Sequence, residues 1–336
     1  MLDIKSMTLQ ELEAVLTPKF RAKQVFDWLH NKLVLSFDEM TNLPKSMIED
    51  LKSKYYITLL EEAQVFVSKI DGTKKYLFKL LDGEYVETVR MHYNHGDSVC
   101  VSTQVGCKMG CTFCASTKAG FKRNLTASEI LEQIYHLQRE EKVSSIVLMG
   151  IGEPLDNFDN VMRFLELLSN PNGMNMSLRH ISLSTCGLVD KIYELADKKL
   201  QLTLSISLHA PNNQVRDKTM PVNHKYKIEE LLKACKYYTQ KTSRRISFEY
   251  ALIKGVNDSV SDAKELAQKL KGILCHVNLI NVNEIKQIKY YKSPSANKFI
   301  EILSSYGITA TLRRTLGADI NAACGQLRAT ANSKEE

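Results

Sequence analysis

The spacing of apolar residues changes from helical to strand-like along the first part of the chain. A capping box at Thr8-Leu-Gln-Glu11, followed by apolar residues three or four positions apart, predicts a short helix. Two further helices are predicted over 22–32 and 45–54. Alternation of period two then predicts strands over 63–70, 75–80 and 84–91, joined by Asp-Gly turns. We therefore expect residues 1–92 to form a small accessory domain of helices followed by strands.

From about residue 98 the sequence alternates strand-like runs with amphipathic helices. The predicted strands are 98–103, 145–150, 180–186, 201–208, 246–252, 274–281 and 308–314. The predicted helices are 126–141, 158–169, 188–199, 228–241, 260–270 and 294–305. Repeated βα units predict a parallel sheet with right-handed crossovers. A Rossmann fold is the alternative, but G-x-G-x-x-G is missing after the first strand. The predicted fold class is α/β, a partial (βα)6 TIM-like barrel over residues 93–318 with a C-terminal segment over 319–336.

One predicted strand, 201–208, has two faces of different character. Its apolar residues are Leu202, Leu204, Ile206 and Leu208, and its polar residues are Thr203, Ser205 and Ser207. Strands that are buried on both faces normally read as continuous apolar runs. A small polar face inside a barrel therefore predicts a cavity for a polar ligand rather than a packed interior.

Composition narrows the class of protein without identifying a partner. The chain has 336 residues, 44% of them hydrophobic and 25% charged, which is ordinary for a globular protein. Its first residues lack an apolar h-region and no apolar run is long enough to span a membrane, so we expect no signal peptide and no membrane association. Eight cysteines in a chain this long favour a reduced, cytoplasmic protein. A net charge of +7 is compatible with RNA binding but does not show it.

Three cysteines form the motif C-x3-C-x2-C after the first barrel strand. They are Cys107, Cys111 and Cys114, and Gly106 and Gly110 let the backbone wrap closely around them. Thiolates bind both zinc and iron–sulfur clusters, but a closed zinc site needs four ligands and this loop offers three. Three thiolates on a four-iron cluster leave one iron without a protein ligand. The motif therefore favours a reactive [4Fe–4S] cluster over a structural zinc knot.

Three separated strings in the chain resemble those of the RlmN/Cfr family of radical S-adenosylmethionine RNA methyltransferases. They are Gln-Val-Gly-Cys with Cys-Thr-Phe-Cys (104–114), Gly-Ile-Gly-Glu-Pro-Leu-Asp-Asn (150–157) and Asp-Ile-Asn-Ala-Ala-Cys-Gly-Gln-Leu (319–327). They occur in the family's order, and the resemblance covers nearly the whole chain. It implies the radical S-adenosylmethionine barrel as the fold, with a [4Fe–4S] cluster and S-adenosylmethionine as cofactors.

The resemblance also implies which residues contact S-adenosylmethionine. Gly152 and Glu153 match the family's segment for the amino group of the cofactor. The positions that match the family's ribose and methionine contacts are Ser184, Ser207, Leu208 and His209, and Asn283 matches an adenosine contact. Without the resemblance, Ser184 would be an ordinary strand serine and His209 a core histidine.

Adenine C2 is not nucleophilic, so direct methyl transfer from a sulfonium fails and a methyl carrier is needed. The resemblance implies that Cys324 carries the methyl group and that Cys100 resolves the protein–RNA adduct through a transient Cys100–Cys324 disulfide. Glu87 matches the family's proton acceptor. The family uses two S-adenosylmethionine molecules per turnover, and a reducing protein supplies the electrons.

The implied substrates are an adenosine of 23S rRNA at the peptidyl-transferase centre and an adenosine in the tRNA anticodon loop. One alternative is the Cfr-type C8 methyltransferase, although Pro154 and Asp156 match the C2 branch. A second is an iron–sulfur RNA-binding protein without catalysis, and a third is a radical enzyme of another reaction type. Six basic residues beside the two cysteine motifs are candidate phosphate contacts: Lys118, Lys122, Arg123, Arg313, Arg314 and Arg328.

Overall fold

Three helices form the N-terminal part of the computed structural model, which describes residues 1–118, 120–282, 290–323 and 325–327. They are α1 (Leu9–Val15), α2 (Lys19–His30) and α3 (Lys45–Lys54). The capping box predicted at Thr8 and Glu11 is present. Two short strands, β1 (Leu2–Asp3) and β2 (Tyr55–Tyr56), pair in parallel beside these helices. The predicted helices are confirmed, and the 45–54 helix has the predicted bounds.

The predicted accessory strands are confirmed as β3 (Glu61–Val67), β4 (Lys74–Lys79) and β5 (Tyr85–Tyr93). They run antiparallel to one another. The next strand, β6 (Gly96–Cys100), pairs antiparallel with β5, so that Val89 lies opposite Cys100. The accessory strands therefore continue into the barrel sheet without a break. The predicted domain boundary at residue 92 lies within β5 and stays a prediction.

Seven parallel strands make the barrel part of a ten-stranded sheet, as the repeated βα units predict. After β6 comes a separate two-stranded ribbon of β7 (Gln104–Gly106) and β8 (Phe121–Asn124). The remaining parallel strands are β9 (Val143–Leu148), β10 (Ile181–Thr185), β11 (Thr203–Ser207), β12 (Ile246–Leu252), β13 (Cys275–Asn281) and β14 (Ala310–Leu312). The order across the sheet is β14-β13-β12-β11-β10-β9-β6-β5-β4-β3. The α/β partial barrel is confirmed.

Helices connect each pair of parallel strands. They are α4 (Ala127–Glu140), α5 (Phe158–Ser169), α6 (Val189–Asp197), α7 (Asn213–Thr219), α8 (Ile228–Thr242), α9 (Val260–Leu270) and α10 (Ala296–Ser305). The sequence pattern missed α7 because its seven residues, Asn-Gln-Val-Arg-Asp-Lys-Thr, have no apolar stripe. A local signal was present: the side chain of Asn212 caps this helix by accepting from the Val215 N–H.

A buried ion pair fastens the N-terminal helices to the barrel. Lys5 is fully buried and donates to Glu132 on α4 and to the carbonyl of Thr58. Burial lowers the pKa of Lys5, and the neighbouring Glu132 carboxylate opposes that shift. Breaking such a pair leaves an uncompensated buried charge, which costs about 3–5 kcal/mol. The N-terminal helices are thus docked firmly on α4.

The alternation predicted for 201–208 is confirmed by burial. Leu202, Leu204, Ile206 and Leu208 are all buried in the main hydrophobic core. Ser207 faces a cavity inside the barrel. Elsewhere, among the residues that the structure describes, no helix has the length and apolar character needed to cross a lipid bilayer.

Candidate active site

The cluster loop connects β7 to β8, and its three cysteines line one side of a large cavity. Gly106 has φ +72°, and a Cβ there would lie 1.6 Å from the carbonyl oxygen of Gly120, so only glycine fits. Gly110 also has a positive φ, of +73°. Cys107 and Cys111 are buried and Cys114 is partly exposed. The cavity has a volume of about 170 Å³ and is open to solvent on one side.

The three thiols suit a cluster better than a single ion. A closed zinc site needs four ligands, and the loop supplies three thiols. Three thiolates on a four-iron cluster leave one iron open to a ligand in the cavity. Burial raises the pKa of Cys107 to about 12 and that of Cys111 further, so a bound metal must displace their protons.

The loop after β9 needs its glycines for close packing against the start of the cluster region. A Cβ on Gly150 would lie 2.6 Å from the carbonyl oxygen of Val101. Gly152 has φ +109°, and a Cβ there would lie 2.6 Å from the Cβ of Gln104. Both glycines line the cavity. The backbone of this loop can therefore approach a ligand closely.

Glu153 is buried beside these glycines and ties two strand ends together. Its carboxylate accepts from the N–H of Leu155 at 3.0 Å and from the N–H of Cys186 at 2.7 Å. Burial raises the pKa of Glu153, and these backbone hydrogen bonds oppose the shift. The same residue lines the cavity, so its carboxylate can also meet a ligand ammonium group.

Gln104 is a site residue whose role the sequence did not reveal. It is fully buried, and its side-chain oxygen accepts from the N–H of Glu153 at 2.8 Å. Its side-chain nitrogen donates to Asp156 at 2.7 Å and to Asn124 at 2.8 Å. One amide thus joins the glycine loop to the β8 side of the cluster loop. Its place in the string before Cys107 was the available signal.

Ser184 and Ser207 lie on neighbouring strands with their hydroxyl oxygens 3.5 Å apart, and both line the cavity. Leu208 differs, because its side chain is buried in the core and does not line the cavity. Its N–H donates to the carbonyl of Glu249 at 3.1 Å, and its carbonyl accepts from Nε of Arg216 at 3.1 Å. The predicted contact between Leu208 and the cofactor stays a prediction.

His209 lines the cavity in a strained backbone conformation, with φ +52°. Its Nδ1 accepts from the N–H of Ala251 at 2.9 Å, so the neutral ring carries its proton on Nε2. Burial, helped by the positive charge of Arg216, lowers the pKa of His209 to about 3. The ring meets Phe113 edge-on, with centroids 4.9 Å apart. His209 is therefore a fixed neutral donor rather than a titrating group.

Two further residues shape the cavity without any sequence prediction. Arg216 on α7 is fully buried and donates to the carbonyls of Cys186 at 2.6 Å and Ser207 at 3.2 Å, which joins two strand ends. Glu249 on β12 is the register partner of Ser207 and lines the cavity. Its Oε1 accepts from Ser247 and Asn278, and its buried Oε2 has no hydrogen-bond partner among the described residues.

Cys100 lines a smaller cavity that adjoins the first. The two cavities share Met149, Ile280 and Arg313 in their walls. Glu87 lies on the same strand as Val89, the residue opposite Cys100, and forms a buried ion pair with Lys75, whose Nζ is 3.0 Å from Oε1.

Two predicted residues, Cys324 and Asn283, lie outside the described residues. Their described neighbours Val282 and Gly325 line the main cavity, and Ala323 lines the smaller one. The structure therefore brings the chain on either side of Cys324 to the two cavities.

Two of the candidate phosphate contacts are engaged by acidic side chains. Lys122 binds Glu84 at 2.6 Å, and Arg123 binds Asp82 at 2.6 Å and Glu129 at 2.8 Å. Both cations thus have acidic partners in this structure, and the prediction that Lys122 and Arg123 hold phosphates stays a prediction. Lys118 and Arg314 are exposed, and Arg328 lies outside the described residues.

Comparison with known proteins extends over the whole chain. The sequence of residues 101–270 matches the Radical SAM superfamily, and residues 1–57 match the ribosomal RNA large subunit methyltransferase N-terminal domain. A Clostridium novyi protein named "Probable dual-specificity RNA methyltransferase RlmN" is 54% identical over 98% of this chain and 98% of its own length. A relative of the same name from Clostridium perfringens (strain 13 / Type A) is 53% identical over 98% of this chain and 97% of its own length.

A solved structure agrees with the sequence comparison. The crystal structure of a radical SAM methyltransferase from Sphaerobacter thermophilus superposes with a TM-score of 0.94 at 43% sequence identity. It covers 98% of this chain and 100% of the other chain. The similarity therefore includes the helical N-terminal part, the accessory strands and the barrel together.

Proposed function

The chain belongs to the RlmN family of radical S-adenosylmethionine RNA methyltransferases, and on that premise we propose that it methylates C2 of an adenosine in 23S rRNA and of an adenosine in the tRNA anticodon loop. The word "dual-specificity" in the names of its relatives supports the second substrate. One observation carries the proposal: three cluster cysteines line a cavity that adjoins the cavity of Cys100, and the chain flanking Cys324 reaches both.

Cys107, Cys111 and Cys114 would hold the [4Fe–4S] cluster, and their number and their common place in the cavity wall fit it. When bound, the cluster supplies the electron that cleaves S-adenosylmethionine to a 5′-deoxyadenosyl radical. The cavity supplies donors and acceptors for that cofactor. Glu153 and Glu249 offer carboxylate oxygens to its ammonium and hydroxyl groups, and the His209 Nε2–H and the two serine hydroxyls complete the polar wall.

Cys324 is the proposed methyl carrier. Its thiolate would attack the methyl carbon of one S-adenosylmethionine, forming the S–CH3 bond while S-adenosylhomocysteine leaves. The S-methyl group of Cys324 would then lose a hydrogen atom to the radical derived from a second S-adenosylmethionine, so two molecules would be used per turnover. The resulting carbon would add to C2 and join protein to RNA, and the adduct would give up one electron as the ring proton is lost.

Release of the RNA needs loss of the ring proton and attack by a second thiol. Cys100 lines the cavity that Ala323 also lines, and this common wall supports Cys100 as the second thiol. We propose that it forms a transient disulfide with Cys324 and that Glu87 accepts the proton. A reducing protein would supply the electrons, and the RNA substrates support a cytoplasmic location. Because the reacting groups are recessed, the target base must leave its stack.

The Cfr-type C8 reaction is the alternative within the family. Asp156 accepts from Gln104 at 2.7 Å and pairs with Lys108 at 2.8 Å. A small apolar residue there, as in the Cfr pattern, would leave Gln104 and Lys108 without this partner. This contact supports the C2 reading.

The test is nucleoside mass spectrometry of ribosomal RNA and tRNA incubated with the anaerobically reconstituted protein, S-adenosylmethionine and a reductant. We expect 2-methyladenosine, and none from a Cys324→Ala variant that still binds RNA. A Cys100→Ala variant should accumulate a protein–RNA adduct. Formation of 8-methyladenosine would move the protein to the Cfr branch. RNA binding without cleavage of S-adenosylmethionine would indicate the non-catalytic alternative.

A further inference from the structure

The turn between β3 and β4 holds the chain that leads to Cys324. The Ser68 hydroxyl donates to one oxygen of Asp319 at 2.7 Å, and the Lys69 N–H donates to the other at 3.0 Å. In return, the N–H of Gly317 donates to Asp71 at 2.9 Å. Each part of the chain thus supplies one carboxylate that accepts hydrogen bonds from the other part, and the two parts are about 250 residues apart. We call these five residues the turn clasp.

The contact is close as well as polar. Gly317 has φ +62°, and a Cβ there would lie 2.9 Å from Cγ2 of Thr73 and 2.7 Å from Cβ of Ala322. Burial works against the Asp71 carboxylate, but hydrogen bonds from Thr73 and the Gly317 N–H hold the pKa of Asp71 below its ordinary value. The hairpin closes its own turn with local bonds, among them Ser68 N–H to the Thr73 carbonyl at 2.8 Å and Thr73 N–H to Asp71 at 3.0 Å, and the bonds to the C-terminal segment are additional to these.

The same hairpin also reaches Glu87. Lys75, at the start of β4, places its Nζ 3.0 Å from the Glu87 carboxylate and 3.4 Å from the carbonyl oxygen of Asn321. Its ammonium group also lies 4.8 Å from the centre of the Phe66 ring on β3, within the range of a cation–π contact. One buried lysine therefore connects the proposed proton acceptor with the C-terminal segment.

The cluster loop holds the chain on the other side of Cys324. The N–H of Ala115 donates to the carbonyl of Gly325 at 2.7 Å, and the hydroxyl of Ser116 donates to the carbonyl of Leu327 at 2.9 Å. Residues before Cys324 are therefore held by the hairpin of β3 and β4. Residues after it are held by Ala115 and Ser116, which directly follow the cluster ligand Cys114.

We propose that the turn clasp positions the methyl-carrier cysteine, so that the accessory strands couple cleavage of S-adenosylmethionine to methyl transfer. The inference rests on the proposed function. Hydrogen abstraction from the S-methyl group requires close, fixed geometry, and small displacements cost large factors in rate. A loosened clasp leaves the cluster and the cofactor cavity intact. The radical is then quenched without product, and 5′-deoxyadenosine forms in excess of 2-methyladenosine.

The test compares Asp319→Ala with a matched control, Asp262→Ala. Asp262 also accepts one serine hydroxyl, at 2.6 Å, and one backbone N–H, at 2.9 Å, but both come from Ser259 in the cap of α9. For each variant we would measure the ratio of 5′-deoxyadenosine to 2-methyladenosine, the cluster content, the S-adenosylmethionine affinity and the S-methylated fraction of the Cys324 peptide. We expect Asp319→Ala to raise the ratio by roughly fivefold or more, with cluster content and affinity unchanged.

The control should keep the wild-type ratio. An unchanged ratio in Asp319→Ala, or an equal rise in Asp262→Ala, would overturn the clasp. If Asp319→Ala lost its cluster, a double-mutant cycle with Ser68→Ala and Asp319→Asn decides instead: coupled effects on the ratio support the clasp, and additive effects refute it. Failure of the proposed function looks different, because wild-type protein would then make no 2-methyladenosine.

Discussion

Ser207 and Glu249 lie opposite each other on neighbouring parallel strands, and both side chains face the cavity beside the cluster cysteines. One oxygen of the Glu249 carboxylate is held by Ser247 and Asn278, and the other is buried without a partner among the described residues. A buried acceptor of this kind loses energy unless a ligand supplies a donor. S-adenosylmethionine carries such donors in its ribose hydroxyls and its ammonium group.

Glu249→Gln should therefore weaken binding of S-adenosylmethionine by roughly tenfold, since a hydrogen bond to a charged group contributes about 1.5–3 kcal/mol. Equilibrium dialysis with the cluster-loaded protein measures the affinity directly. Glu301→Gln, on an exposed acid of α10, is the control and should bind normally. Equal affinities in Glu249→Gln and wild type would remove Glu249 from the cofactor site.

Gly152→Ala should abolish cofactor binding while the cluster still assembles. The added methyl group would meet the Gln104 side chain 2.6 Å away at a φ of +109°, so the loop has to move. Gly272→Ala is the matched control, because its φ of +80° is also unfavourable to alanine but nothing lies within 4 Å. Iron and sulfide analysis together with dialysis would separate the two effects. Normal affinity in Gly152→Ala would show that the close approach is unimportant.

Lys75→Met should lower the free energy of unfolding by roughly 3 kcal/mol, because Glu87 would remain buried without its cation. The effect should shrink in Lys75→Met/Glu87→Leu, which removes both charges. Lys79→Met on the same strand breaks an exposed pair with Glu61 and should cost less than about 1 kcal/mol. Anaerobic urea unfolding, followed by the fluorescence of Trp28, measures all three. A similar loss in both lysine variants would contradict the prediction.

Acid should destabilise the protein partly through His30, at the end of α2. Burial, with the nearby charge of Lys5, lowers the pKa of His30 from 6.5 to about 3. The unfolded chain takes up a proton below pH 6.5 that the folded chain refuses, so stability falls as the pH drops from 6.5 towards 3. His30→Asn keeps an acceptor for the Tyr135 hydroxyl and removes the titration.

Between pH 6 and pH 5 the wild type should lose up to about 1.4 kcal/mol per pH unit more than His30→Asn. Urea midpoints at several pH values measure the difference. His180→Asn, an exposed histidine before β10, should follow the wild type. Parallel pH curves for wild type and His30→Asn would rule out a buried neutral histidine.

Local sequence patterns were sufficient to predict the elements whose signals lie within their own residues and caps. Helix α5 has the predicted bounds of 158–169, because its apolar stripe, its first-turn acid and the preceding tight turn agree. The pattern of apolar residues did not predict α7, because polar residues occupy both of its faces. The side chain of Arg216 extends from this helix to the strand ends and donates to the carbonyl of Cys186. A fully buried arginine that binds carbonyls leaves no hydrophobic signature, so sequence spacing does not reveal it.

The spacing of residues in the sequence also did not predict the long-range contacts of the site. The cysteine motif and the glycine loop were visible in the sequence, but the use of Glu153 to join two strand ends depends on the register of β9 and β10. Lys75 and Glu87 belong to different strands, and nothing local predicts their pairing. The roles of Glu87, Cys100 and Cys324 came from family resemblance and stay predictions.

Because the sheet is continuous, the accessory strands cover the edge of the barrel strand β6. If the chain were cut before β6, the edge of that strand would expose unpaired N–H and C=O groups to other chains. In the intact fold that edge belongs to β3, whose Glu61, Glu62 and Gln64 are exposed and polar. Charged edge residues discourage strand addition. An isolated barrel would therefore tend to pair edge to edge, and shortening this protein to its catalytic part would expose a strand edge that the accessory strands now cover.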